Sequence, residues 1–168
     1  FEITVMLMYE KCSKVFGKAR IDRPEREAFS DAFVERLTIS RSSKILHADI
    51  VSQKLIPNQC RLKAEKNILE TIGAAHKVEL SVRYEIENKT PGAAFDFIWK
   101  DVIDTLSAES PVCGCVFENC KIQYDENKVT IFTGHNAAFY LYRKGIDQYI
   151  EHRIHDEFGM NISVGFKH

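Results

Sequence analysis

Apolar residues at Val5, Met8, Tyr9, Cys12, Val15 and Phe16 recur at helical spacing, which predicts an amphipathic helix over residues 3–16. Ile3 to Tyr9 is also apolar enough for a buried strand, and period alone leaves both readings open. Gly17 ends this element, a basic loop follows from Lys18 to Arg23, and Pro24 suits the first turn of a short helix through about Asp31. Phe33, Glu35, Leu37 and Ile39, then Ile45, His47, Asp49 and Val51, alternate around Ser40-Arg41-Ser42-Ser43, the pattern of a β-hairpin. Pro57 opens a helix to about Ile72 with Cys60, Ala64, Ile68 and Ile72 on one stripe, and Gly73 stops it. His76 to Ile86 reads as a strand with Val78, Leu80, Val82 and Tyr84 on one face.

The polar stretch 87–93, with its Pro-Gly breaker, is the best boundary. Beyond it Phe95, Ile98, Val102 and Leu106 mark the buried stripe of a helix over about residues 94–107, with Trp99 beside them. A short helix from Pro111 to Phe117 follows, then strands Lys121–Tyr124 and Lys128–Phe132 joined by the turn Asp125-Glu126-Asn127. One long helix is predicted from about Asn136 to Phe158, with Ala138, Leu141, Ile146, Tyr149, Ile150 and Ile154 inward and Gly159 closing it. A last strand spans Asn161 to Phe166. Both halves therefore end in hairpin, helix, strand. The expected fold is α+β, with two small domains at 1–88 and 89–168, each a short, mainly antiparallel sheet packed against helices.

Composition adds a contrast between the halves. The chain of 168 residues has a net charge of -1, too balanced for a strongly charged nucleic-acid or lipid arm taken whole. Residues 1–90 carry 16 Lys+Arg against 13 Asp+Glu, whereas residues 91–168 carry 7 against 11, so the halves suit different partners. The five cysteines are odd in number and no stretch reads as a secretory signal or membrane span, which suggests reduced thiols in a cytoplasmic protein and no membrane partner. A first residue other than Met suggests a piece of a longer protein.

Arg36-Leu-Thr-Ile-Ser-Arg-Ser-Ser-Lys44, Leu46-His-Ala-Asp49 and Lys54-Leu-Ile-Pro57 resemble the first amino-terminal domain of PolC-type DNA polymerase III. Trp99 with Ile103 and Leu106, Lys128-Val-Thr-Ile131, the Tyr140 to His155 helix and Glu157-Phe-Gly159 resemble the second. The similarity covers roughly residues 24–168 and lies in the succession of elements. The second half is also similar to the carboxy-terminal domain of the clamp-loader tau subunit, a truncated type II KH fold. The resemblance implies that polymerase and 3'-5' exonuclease chemistry lies downstream, in a parent DNA-directed DNA polymerase, and that this segment is non-catalytic and needs no cofactor. A KH domain clamps a nucleic-acid backbone through Gly-x-x-Gly between two helices; the chain has no such motif, and its second half is acidic.

Candidate chemistry is sparse. Cys113-Gly-Cys115 with Cys120 and His135 is the sharpest metal constellation, but C-x-C is tighter than a zinc knuckle and Val112, Val116 and Phe117 favour packed thiols. Asp96, Asp101 and Asp104 lie along one helix and read as its solvated face, so no catalytic or metal residue is assigned. His152 and His155 suit a helix end. Phe16-Gly-Lys-Ala lacks P-loop spacing. Lys11, Lys14, Lys18, Arg20, Arg23 and Arg26 fall within sixteen positions, and Arg41 and Lys44 flank the hairpin turn. Expected nucleic-acid contacts are thus Lys11, Lys14, Lys18, Arg20, Arg23, Arg41 and Lys44, although Asp22, Glu25 and Glu27 dilute the run and no aromatic ladder interleaves it. The leading expectation is a module tethering the polymerase to replisome proteins, such as the clamp loader tau or helicase assembly. Direct contact of the basic first half with template or single-stranded DNA is the alternative.

Overall fold

A computed structural model describes the backbone from residue 3 to 168, and the side-chain surroundings from Met8 onward. The chain divides into two compact units, Phe1–Glu85 and Ile86–His168.

The first unit runs β1 (Ile3–Lys11), α1 (Cys12–Val15), α2 (Arg23–Ala28), β2 (Ala32–Ser40), β3 (Ile45–Ser52), α3 (Asn58–Thr71) and β4 (Lys77–Tyr84). Its sheet has the order β1-β2-β3-β4; the first two pairings are antiparallel and β3–β4 is parallel, as a helical crossover requires. Of the two readings for the start of the chain, the strand is realised, and only four residues from Cys12 are helical.

The expected hairpin forms. Leu46, Ala48 and Ile50 of β3 are buried, with Ala32 and Val34 of β2; Ile45, His47 and Asp49 are half-buried, and the alternation ends at Val51, which is buried as well. A register shift between Val34 and Arg36 sets Phe33 opposite Val51 but Leu37 opposite Ala48 and so breaks simple alternation along β2. β4 holds the predicted face: Val78, Leu80, Val82 and Tyr84 are all buried. The Tyr84 hydroxyl accepts from the Ile56 N–H and donates to its carbonyl, both at 3.1 Å, fixing the chain that leads into α3.

The second unit runs α4 (Pro91–Glu109), α5 (Pro111–Phe117), β5 (Lys121–Asp125), β6 (Lys128–Phe132), α6 (Ala138–Arg143), α7 (Ile146–Phe158) and β7 (Ser163–Lys167). Pro91 and Gly92, read as a breaker, lie inside α4, because Thr90 caps it through Oγ1 to the Ala93 N–H at 3.3 Å and Pro91 is harmless in the first turn. Phe95, Ile98, Val102 and Leu106 are buried as their spacing predicts, and Trp99 stacks on Phe95 at 4.9 Å. Each such side chain contributes about 1.5–3 kcal/mol on full burial.

The sheet order is β5-β6-β7, antiparallel then parallel, so this unit is mixed rather than mainly antiparallel. The single long helix is two helices. Gly145 adopts φ 68°, a left-handed conformation that a continuing helix cannot contain, and Lys144-Gly145 becomes the turn between α6 and α7.

Each unit seals one sheet edge with its crossover helix. In the first, Glu65 Oε1 on α3 accepts from the Leu80 N–H of β4 at 2.9 Å. In the second, Glu151 Oε1 on α7 accepts from the Val164 N–H of β7 at 2.8 Å, and the Tyr142 hydroxyl accepts from the Phe166 N–H at 2.9 Å. Bonds otherwise left to solvent or to a foreign strand are thereby satisfied.

Candidate functional site

The sequence-predicted basic residues fall on several elements of the first unit. Lys14 Nζ lies 3.0 Å from Glu10 near the end of β1, and Arg23 Nε donates to Glu27, one turn along α2, at 2.8 Å. Lys11 lines a shallow groove with Tyr9, Phe33 and Lys54, where Tyr9 stacks on Phe33 at 4.9 Å. Arg41 and Lys44 instead line a depression of about 410 Å³ with Val15, Phe16 and Ile72. Lys18 and Arg20 are exposed on the loop between α1 and α2 and have no ion-pair partner among the described residues. The hairpin turn thus shares a depression with the end of α1, while Lys11, just before α1, lines a different groove.

Phe16 also faces a second cavity, of about 340 Å³, lined by Cys12, Ile21, Glu25, Phe29, Ile68 and their neighbours. Glu25 is only 2% exposed. Its Oε1 lies 3.5 Å from Lys63 Nζ, and its Oε2 has no hydrogen-bond partner. Read from its neighbours in sequence, Glu25 had no role beyond diluting a basic run. The one signal was its place one position after Pro24, in the first turn of a helix where a carboxylate is favoured, and this says nothing about burial. Burial pushes the neighbouring Cys12 thiol up to about 12, so it is protonated at neutral pH. Gly17 closes the wall because a β-carbon there would lie 2.7 Å from the Ser13 carbonyl oxygen.

On the half-buried face of the same sheet, His47 Nε2 lies 3.0 Å from Asp49 and 3.3 Å from Ser81 Oγ, and its Nδ1 lies 3.4 Å from Glu79. Sequence reasoning missed this cluster, since β3 and β4 are brought together only by the crossover. Ser81 is exposed and shares Nε2 with Asp49, so this arrangement is a surface charge ladder rather than an activated hydroxyl. Glu79 is held below the ordinary carboxylate value, chiefly by its bond from Lys77.

In the second unit the three predicted helix carboxylates part company. Asp104 is exposed, and Asp96 accepts a hydrogen bond from the Tyr124 hydroxyl. Asp101, expected on a solvated face, is instead 5% exposed and lies 3.0 Å from Arg153 on α7. The correction has a simple cause: Asp101 sits between Ile98 and Val102 on the helix face that meets α7. Cys113 is buried, whereas Cys115, two residues on, is exposed. Among the described residues no three His, Cys, Asp or Glu side chains are grouped to hold a metal ion, and no helix is long and apolar enough to cross a membrane.

Among the described residues the most exposed large apolar side chain lies on α6. Phe139 is 78% exposed and Tyr142 is 46% exposed. With the exposed Arg143 they stand three and four positions apart, on one helix face.

The architecture is that of a module of two small α+β units, each built on a hairpin, a crossover and a parallel strand. Residues 13–82 match the family model for DNA polymerase III polC-type N-terminus I, and residues 98–168 match that for DNA polymerase III polC-type N-terminus II. The chain belongs to the PolC-type DNA polymerase III family and is its amino-terminal region. No curated protein and no solved structure matches it.

Proposed function

We propose that this region is a non-catalytic module that tethers a replicative polymerase to another replisome protein through the second unit. The observation that carries this reading is Phe139, a large aromatic side chain 78% exposed beside Tyr142 and Arg143 on α6. Aromatic and arginine side chains dominate the energetics of protein interfaces, and an exposed aromatic has a hydrophobic incentive to be covered. Tethering would act through effective concentration, keeping a dissociated polymerase near its template.

A KH-like character for this unit belongs to the same proposal. In a KH-like reading, the turn between α6 and α7 would stand in for the Gly-x-x-Gly loop. The turn itself is Lys144-Gly145, and Tyr142-Arg143 before it belong to α6, so the connection has a single glycine. Without a second glycine the close approach of a nucleic-acid backbone is opposed, which favours a protein partner.

Biosensor titration of the whole chain with purified clamp-loader tau and with the replicative helicase assembly tests the reading. Binding to one of them should weaken at least tenfold in Phe139→Ala with the melting temperature unchanged. Absence of binding to both, or equal binding by the variant, refutes it.

A second reading, contact of the first unit with single-stranded or template DNA, is supported by the depression that joins Arg41 and Lys44 to Phe16. It predicts affinity for a labelled oligonucleotide that falls steeply with salt, because neutralised phosphates release counterions. No binding at low salt removes it.

A further inference from the structure

The Glu25 cavity has the features of a built site. Its volume of about 340 Å³ falls within the range of small-ligand pockets, about 300–1,000 Å³. Two aromatic rings, Phe16 and Phe29, and the aliphatic Ile21 and Ile68 form walls suited to a flat apolar body. Against them stands a carboxylate 2% exposed, with one oxygen lacking any hydrogen-bond partner. A buried, under-satisfied carboxylate is costly, and the cost is recovered by whatever brings N–H donors to it.

A ligand that satisfies both features is a planar heterocycle with adjacent N–H donors on one edge. Guanine presents N1–H and N2–H₂ side by side and can donate both to a carboxylate. Adenine offers one donor beside an acceptor, which the same carboxylate repels. Arg26 lines the cavity, and the exposed Lys18 and Arg20 lie on the loop that supplies lining residues Gly17, Ala19 and Ile21. These cations suit a phosphate attached to the ring.

We propose that the cavity between α1, α2 and α3 binds a guanine nucleotide, its ring against Phe16 and Phe29 and its donor edge on Glu25. The site is separate from the α6 face and does not depend on tethering. The base can be supplied by a free nucleotide or by an unpaired guanine in a single strand, and the recognition chemistry is the same.

Calorimetric titration of the whole chain with GMP, AMP, and short deoxyguanosine- and deoxyadenosine-containing oligonucleotides tests it. Guanine should be preferred over adenine by at least tenfold in one of the two formats. Saturation by GMP identifies the free nucleotide as a source, and saturation by the oligonucleotide alone identifies the strand. Glu25→Gln, which keeps the shape and replaces one acceptor by a donor, should abolish the preference. Ala64→Leu, which extends into the cavity from α3, should abolish binding, with circular dichroism of both variants verifying the fold. Equal binding of guanine and adenine, no binding in either format, or an undiminished preference in folded Glu25→Gln overturns the proposal.

Discussion

Buried ionisable side chains here meet different fates. Asp101 has a cationic neighbour, Arg153, which also donates to both carboxylate oxygens of Glu157 at 2.8 and 3.0 Å. Burial alone would lower the Arg153 pKa, but hydrogen bonds and charge from Glu157, with Tyr149 and Asp101, raise it, and the guanidinium stays charged. Cys12 takes the opposite course and stays neutral. Its thiol ordinarily ionises near 9.0, and burial in the folded state delays this to about 12. The folded state therefore holds a proton that the unfolded state has released, so this contribution to stability is complete below pH 9 and is lost as pH rises toward 12. Urea midpoints at pH 8 and pH 10.5 should fall more steeply for the native chain than for Cys12→Ala. Little of this was legible beforehand. Asp101 looked like any helix carboxylate because its partner lies 52 positions away, and Glu25 was hidden by the basic residues around it.

Among the elements, short-range signals survived best. Pro111–Phe117 was marked by its proline and apolar run, and the Phe95-Ile98-Val102-Leu106 stripe by its period. The error came where one residue changed the geometry: Gly145 divided a periodic stretch into two helices. The edge-sealing glutamates could not be foreseen, because Glu65 and Glu151 reach strands 15 and 13 residues further on. Replacing either by Ala should cost about 1.5–3 kcal/mol, the value of a hydrogen bond to a charged group. The Leu80 or Val164 amide respectively should exchange faster in deuterium oxide than in the native chain. Unchanged exchange at both would show that solvent replaces the carboxylates without loss.

At the scale of the molecule, element order was the most legible property and partner identity the least. Order is written in periodicity and turn residues, whereas an exposed aromatic such as Phe139 stands out only once the neighbouring apolar residues are known to be covered. Each unit has its own buried set, Leu46, Ile50, Ile68 and Leu80 in one, and Phe95, Ile98, Ile131 and Ile154 in the other. A fragment spanning residues 86–168 should therefore melt cooperatively by circular dichroism, as should residues 1–85, and a non-cooperative trace from either would refute its autonomy.

The closure of β7 also limits how copies of the second unit can meet. Strand β5, at the opposite margin, has no comparable cover among the described hydrogen bonds, so each unit offers one receptive margin and one refractory one. Head-to-tail growth into a continuous ribbon would require both to be receptive. Strand-to-strand association can therefore join two units through β5 but cannot propagate, which makes self-association through this sheet a terminating event rather than a route to fibres.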